Sequence, residues 1–137
     1  MAAAGFLSGS VKFGITPPRT KFVEGQIWHY ATRPGDEDSI LKIQKIELLP
    51  EFAEQGGVYH VTIIDVHLGT PRRLRTIHHA PFSKAALEES VEKIISSNRQ
   101  IPGAEDGISH WRESRGGIFT VSVADAVSFI DGTLTDV

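Results

Sequence analysis

Five of the six histidines lie in segments whose apolar and β-branched residues predict strands. The hairpin register predicted below places His60 opposite Ala80, one position from His79, so two imidazoles could share a metal ion. With a carboxylate such as Asp65, this arrangement would suit a metal-dependent hydrolase. No HExxH or HxH motif is present, so hydrogen-bonded histidines without a metal are the simpler interpretation. The strand histidines are His29, His60, His67, His78 and His79.

Acidic residues form a second candidate site, directly after the Pro34-Gly35 turn signal. Asp36, Glu37 and Asp38 could hold a cation or exchange protons only if they converged in a cleft that shifts their pKa values. A polar turn seldom provides such a cleft. We therefore expect a solvated hairpin loop, in which Asp36 and Ser39 bond the local backbone.

Aromatic residues give the better indication of a binding surface. Trp28 and Tyr30 share one face of a predicted strand, and Arg33 lies at its rim. An exposed pair would form a rigid platform of the kind that anchors interfaces. We expect Trp28 in the core and the Tyr30 hydroxyl at the solvent. The predicted binding residues are Tyr30, Arg33, Asp36, Glu37 and Asp38.

Composition excludes several kinds of site and partner. Without cysteine the chain has no disulfide, thiolate metal site or cysteine nucleophile. Neither a GxSxG motif nor a glycine-rich loop opening a helix is present, so no cofactor is expected. A net charge of −3 argues against nucleic acid. We interpret Arg72, Arg73 and Arg75 as a solvated strand edge. The absence of a signal peptide and of a long apolar run predicts a cytoplasmic protein without membrane contact.

The pattern of elements predicts a single domain of the α+β class. Residues 1–20 are rich in Ala, Gly, Ser and Pro and are interpreted as a flexible leader, and residues 21–137 as the domain. A curved antiparallel sheet of four or five strands is expected between residues 26 and 79, with an SH3-like, partly open barrel as one arrangement it could take. Its second strand changes the parity of its apolar residues, which predicts a β-bulge near Gln44 and Lys45. C-terminal helices should cover one sheet face.

Turn and capping residues predict the remaining boundaries. A three-residue loop at Gly69 would place Leu68 opposite Arg72, Asp65 opposite Arg75 and Ile63 opposite Ile77. Ser83 can cap a helix that runs to Asn98 on the stripe Leu87, Val91, Ile94 and Ile95. A short helix from Asp106, a strand at residues 118–121 and a helix from Val123 to Gly132 complete the chain.

Three segments carry a resemblance to other proteins. The run IWHYATRPGDEDSILKIQKIE, with ISHW and GGIFTVSVADAVSFI, resembles a group of small bacterial proteins without a described function, over roughly residues 24 to 131. This resemblance assigns no function to any residue. The Gly-x-Ile-Trp start is also similar to that of SH3-like barrels, including toxin ribonucleases. Those enzymes use basic and hydroxyl groups on RNA, whereas the loop here is acidic.

These observations favour a non-catalytic binding module of bacterial type, such as an adaptor, accessory or immunity protein. Its partner would be another protein, recognised through a sheet edge and the 33–39 loop, and an open edge would also allow a homodimer. Two alternatives remain: a metal-dependent hydrolase using His60, His78, His79 and Asp65, and a barrel that encloses a small ligand.

Overall fold

The described part of the chain forms a five-stranded sheet and three α-helices. The structure, a computed structural model, describes residues 21–135, so the predicted leader lies outside the described residues. A 3-10 helix, Pro50–Gln55, joins the second and third strands. The strands are β1 (Ile27–Tyr30), β2 (Ile40–Glu47), β3 (Val58–Leu68), β4 (Arg73–Phe82) and β5 (Val91–Ile95), and the helices are α1 (Lys84–Ser90), α2 (Glu105–Glu113) and α3 (Val123–Thr135).

The sheet is antiparallel throughout, and its strand order is β4-β3-β2-β1-β5. This arrangement confirms the predicted α+β class. Its edge strands β4 and β5 do not pair with each other, so the sheet is open. The described strands therefore do not form the closed barrel that the small-ligand alternative requires. No helix within residues 21–135 is both long and apolar enough to cross a bilayer.

One face of the sheet carries the main hydrophobic core. Because side chains alternate along β3, Tyr59, Val61 and Ile63 point to this face, while His60 and Thr62 point to the other. Helices α1 and α3 cover the core face. Helix α2 covers the other, where Trp111 packs against His60. The core residues contributed by the two covering helices are Ala86, Leu87, Val123, Ala126 and Val127.

The predicted bulge in β2 is confirmed, because its register with β3 shifts between Ile43 and Lys45. The β3–β4 hairpin matches the predicted register only at Ile63 and Ile77. Leu68 lies opposite Arg73 rather than Arg72, and His60 opposite Pro81 rather than Ala80.

The predicted pairing of Asp65 with Arg75 is wrong. Asp65 has a φ of 63° within a second shift of register, so Val66 takes the place opposite Arg75. The left-handed region is unfavourable for a residue with a Cβ, and Asp is among the few that tolerate it. The Asp65 carboxylate instead pairs with Arg99 in the loop that follows β5.

The predicted helix from Ser83 to Asn98 is less than half as long in the structure. Ser83 caps it as expected, since its Oγ accepts from the N–H of Ala86. The helix ends at Ser90, and the next five residues form β5 against β1. The β-branched residues Val91, Ile94 and Ile95 also suit a strand, and the otherwise unpaired edge of β1 decides between the two.

The C-terminal predictions are correct in type and differ at the boundaries. Helix α2 begins at Glu105, one residue before the predicted cap. Residues 118–121 contain only an isolated parallel bridge from Phe119 to Phe82, rather than a strand. Ser122 caps α3 through the N–H of Asp125, and α3 continues past Gly132 to Thr135.

Candidate functional site

A chain of hydrogen bonds links three ionisable side chains beneath α2. The His60 Nε2 atom lies 2.8 Å from a Glu47 carboxylate oxygen, and His60 Nδ1 lies 2.8 Å from His79 Nε2. Strands β2, β3 and β4 contribute one residue each. Because β3 is central among them, the His60 side chain has no exposed surface. Arg112 of α2 closes the chain, 2.6 Å from the second oxygen of Glu47.

The pKa values fix the direction of each hydrogen bond in this chain. Burial alone would raise the pKa of Glu47, but hydrogen bonds from Arg112 and His60 outweigh it and hold the pKa below its ordinary value. Burial lowers the pKa of His60, although Glu47 opposes the shift, and burial with the nearby His60 lowers the pKa of His79 to about 4. Glu47 is therefore ionised and both imidazoles are neutral at neutral pH.

A neutral imidazole carries one proton, so the tautomers follow. An ionised carboxylate only accepts hydrogen bonds, and His60 must therefore donate from Nε2 to Glu47. Its Nδ1 is then an acceptor, and His79 donates to it from Nε2. The remaining lone pair lies on His79 Nδ1, which has no hydrogen-bond partner among residues 21–135.

A glycine in α2 allows this helix to approach His79 closely. A Cβ on Gly107 would lie 2.5 Å from the His79 Cβ, closer than real side chains approach each other. Glycine within a helix costs roughly 1 kcal/mol relative to alanine. The close helix–sheet contact accounts for a glycine at this position, which the sequence pattern alone did not explain.

Trp111 forms the wall between this buried chain and an open cleft. Its indole lies edge-on to the His60 ring with the centroids 4.9 Å apart, and its Nε1 donates to the Gly117 carbonyl at 2.8 Å. A Cβ on Gly116 would lie 2.3 Å from the indole, so glycine is needed beside it. Phe52 of the 3-10 helix packs against the outer side of the indole. The Trp111 ring is therefore held on three sides.

The cleft has a volume of about 500 Å³. Two of its residues are cationic: Arg112, which pairs with Glu47, and Arg115, which pairs with no carboxylate among residues 21–135. Leu48 precedes the lining residue Leu49 in sequence, and 78% of its surface is exposed. The lining residues are Leu49, Glu51, Phe52, Trp111, Arg112, Arg115 and Gly116.

Arg115, the second residue after α2, has a φ of 53°, in the left-handed region. Helices often end on such a residue, which is usually glycine because a Cβ costs roughly 1 kcal/mol there. The next residue, Gly116, must itself be glycine to fit beside Trp111. This conformation places the Arg115 side chain at the cleft.

The predicted binding platform at Tyr30 is largely buried. The Tyr30 hydroxyl lies 2.7 Å from Ser39 Oγ, which in turn donates to the Ile64 carbonyl. The expectation that this hydroxyl reaches solvent is wrong, because only 3% of the residue is exposed. The same burial raises the pKa of Tyr30 to about 12. Trp28 lies in the core as predicted.

Arg33 and Asp36 belong to a network of internal ion pairs. Arg33 donates to Asp36 at 2.9 Å and to Asp131 of α3 at 3.1 Å, and Asp36 also accepts from the backbone and ring of His67. Burial would raise the pKa of Asp36, but the hydrogen bonds from His67 and Arg33 keep it below its ordinary value. These contacts join the 31–39 loop, β3 and α3, which accounts for both residues structurally.

Glu37 and Asp38 remain on the surface. Glu37 accepts from the N–H of Gly35 and, with Glu92, lines a shallow depression of about 460 Å³ beside Tyr30. The depression has two carboxylates in its lining, but no described arginine, lysine or exposed aromatic ring lies beside them. The predicted solvated loop is therefore correct for Glu37 and Asp38 and wrong for Asp36 and Ser39, because these two side chains are buried and bond His67 and Ile64 rather than the local backbone.

Of the four residues in the metal alternative, the structure brings together only His60 and His79. His78 is exposed and does not join this pair, and Asp65 pairs with Arg99. Within residues 21–135 no group of three or more histidine or acidic side chains is placed to hold a metal ion.

Sequence reasoning missed Glu47, Trp111, Arg112 and Arg115 as members of one site. Helix α2 and strand β2 are far apart in sequence, and only the tertiary fold brings them together. One signal was available, because the two-glycine segment after Trp111 marks a place where backbone and a large ring can approach closely. Comparison of the chain with models of protein families, with curated proteins and with solved structures gives no significant match.

Proposed function

We propose that the protein is a non-catalytic binding module that holds a segment of another protein in the Trp111 cleft. The proposal rests on one observation: a tryptophan fixed on three sides stands beside Arg115, which forms no ion pair within residues 21–135. Tryptophan and arginine are the residues most enriched among the energetic centres of protein interfaces. A fixed ring also loses little conformational freedom on binding.

The lining of the cleft defines the chemistry of the segment. Phe52 and Trp111 offer apolar surface to an aromatic or long aliphatic side chain. Arg115 offers a guanidinium to a neighbouring carboxylate, and such pairs are strengthened by two parallel hydrogen bonds. The exposed Leu48 extends the apolar surface along the 3-10 helix. We therefore infer an acidic segment with one large apolar side chain.

In this proposal the Glu47–His60–His79 chain positions the cleft and does no chemistry on a substrate. Glu47 holds the Arg112 guanidinium, and the His60 ring supports the inner edge of Trp111. A buried polar chain with every inner hydrogen bond formed gives its neighbours one well-defined arrangement.

Selection from a displayed library of random dodecapeptides on the full chain tests the proposal. We expect enriched peptides to carry aspartate or glutamate next to Trp, Phe or Leu. The affinity of synthetic, capped copies for the full chain is then measured by isothermal titration calorimetry.

Two variants probe the two halves of the cleft. Trp111→Ala and Arg115→Glu should each weaken the selected peptides by about tenfold or more, which corresponds to about 1.4 kcal/mol. Lys93→Glu, on the edge strand β5 and outside the cleft, is the matched control and should leave affinity unchanged. The proposal fails if no peptide is enriched, or if the cleft variants bind the selected peptides as well as the parent chain does.

A further inference from the structure

Strand β4 leaves one of its edges open. It is the terminal strand of the sheet, and β3 pairs with its inner side. On the outer side the only described backbone hydrogen-bond partner is Phe119, at the far end of the strand next to Phe82. From Arg73 to His79, no described backbone group pairs with that outer side. An open edge of this length presents backbone donors and acceptors that another extended chain can use.

The open edge is also a local concentration of positive charge. Arg72, Arg73 and Arg75 are all exposed. Arg72 pairs with Asp131, but neither Arg73 nor Arg75 pairs with a carboxylate within residues 21–135. The Arg75 Nε atom donates to the Leu68 carbonyl, which leaves its charge uncompensated. This edge is therefore cationic in a chain whose net charge is −3.

These charges select the partner that can use the edge. If two copies of the chain paired through β4 around Leu74, Arg73 of one would lie opposite Arg75 of the other, and like charges directly opposite each other are unfavourable. The same arginines would attract a strand that carries glutamate or aspartate. Leu74, which is 59% exposed on the alternate face, offers apolar contact to that strand.

We propose that β4 binds an extended acidic segment of another protein, which adds to the sheet as a sixth strand. Addition of a strand to a sheet edge draws affinity from backbone hydrogen bonds and specificity from alternate side chains. The proposal does not depend on the Trp111 cleft, which lies on a different part of the molecule and uses none of the same residues.

A capped synthetic decapeptide that alternates glutamate with valine and threonine is the probe. We expect it to bind the full chain, to slow amide hydrogen exchange at residues 73–79, and to bind more weakly as salt concentration rises. A peptide with lysine in place of glutamate should not bind. Two further peptides, N-methylated at the odd or at the even residues, distinguish strand addition from simple charge attraction, because only one set of N–H groups faces β4.

The double variant Arg73→Glu/Arg75→Glu should weaken the acidic peptide by about tenfold or more. Both side chains are exposed, so the fold should survive, which far-UV circular dichroism checks. Lys93→Glu on the opposite edge strand β5 is the matched control and should bind normally. The proposal is overturned if both N-methylated peptides bind like the parent peptide, if residues 73–79 gain no protection, or if a single-stranded oligonucleotide binds these arginines more tightly.

Discussion

Replacing His79 with glutamine should flatten the pH dependence of stability. In the folded protein His79 stays neutral down to a pKa of about 4, because it is partly buried against α2 and lies beside His60. In the unfolded chain the imidazole takes up a proton near its ordinary pKa of 6.5. Between these two values the unfolded state binds the additional proton, so stability must fall as the pH falls.

The structure sets the size of this effect. Each proton held only by the unfolded state lowers the free energy of unfolding by about 1.4 kcal/mol per pH unit. Between about pH 7.5 and about pH 5, the lowered pKa of His79 alone would reduce the free energy of unfolding by about 2 kcal/mol. Because His79 is partly exposed to solvent, we expect about 1 kcal/mol. His60 acts in the same direction, because burial lowers its pKa as well.

Carboxylates act in a lower pH window and do not obscure this effect. Hydrogen bonding from the Gly69 backbone, with Arg33 and Arg72, lowers the pKa of Asp131 to about 2. A depressed carboxyl pKa stabilises the fold above the ordinary value near 4, and that stability is lost only as the pH falls below it. Glu47 follows the same sign, since its pKa is also lowered.

Urea unfolding of the parent chain and of His79→Gln at several pH values provides the measurement. Glutamine can still donate to His60 Nδ1 but does not titrate, so the loss of stability from about pH 7.5 to about pH 5 should be about 1 kcal/mol smaller in the variant. His78→Gln, which changes the adjacent exposed histidine, is the control and should follow the parent chain. If the free energy of unfolding depends on pH in the same way for His79→Gln and for the parent chain, the inference that His79 stays neutral in the folded protein is refuted.

Three further changes test the packing described above. Gly107→Ala should destabilise the protein in chemical denaturation by about 1–3 kcal/mol, although alanine is the better helix former, because the new Cβ overlaps His79. Leu41→Ala should lower the free energy of unfolding by about 2–5 kcal/mol, since Leu41 is completely buried in the core. Tyr30→Phe should lower the free energy of unfolding by about 1 kcal/mol, because it removes the hydrogen bond to Ser39, and should leave peptide affinity at the cleft unchanged. A loss of affinity would show that Tyr30 contributes to binding.

Local patterns predicted the elements that local chemistry decides. The β2 bulge was visible because the apolar residues change parity between Ile43 and Ile46, and the Ser83 cap because a hydroxyl precedes an apolar helical stripe. The β5 strand was not visible, because Val91–Ile95 fits the helical stripe as well as a strand and only β1, distant in sequence, decides between them.

The candidate site shows the same division. The sequence by itself determined the α+β class, the absence of thiol chemistry, and the presence of histidines on adjacent strands. The tertiary structure alone decided which residues meet: it buried Tyr30 and Asp36 in internal hydrogen bonds, and it placed Trp111 on His60. Side-chain pairing across strands and between a helix and a sheet depends on register and on burial. Both arise from contacts between distant residues, and composition, spacing and periodicity in one segment do not encode them.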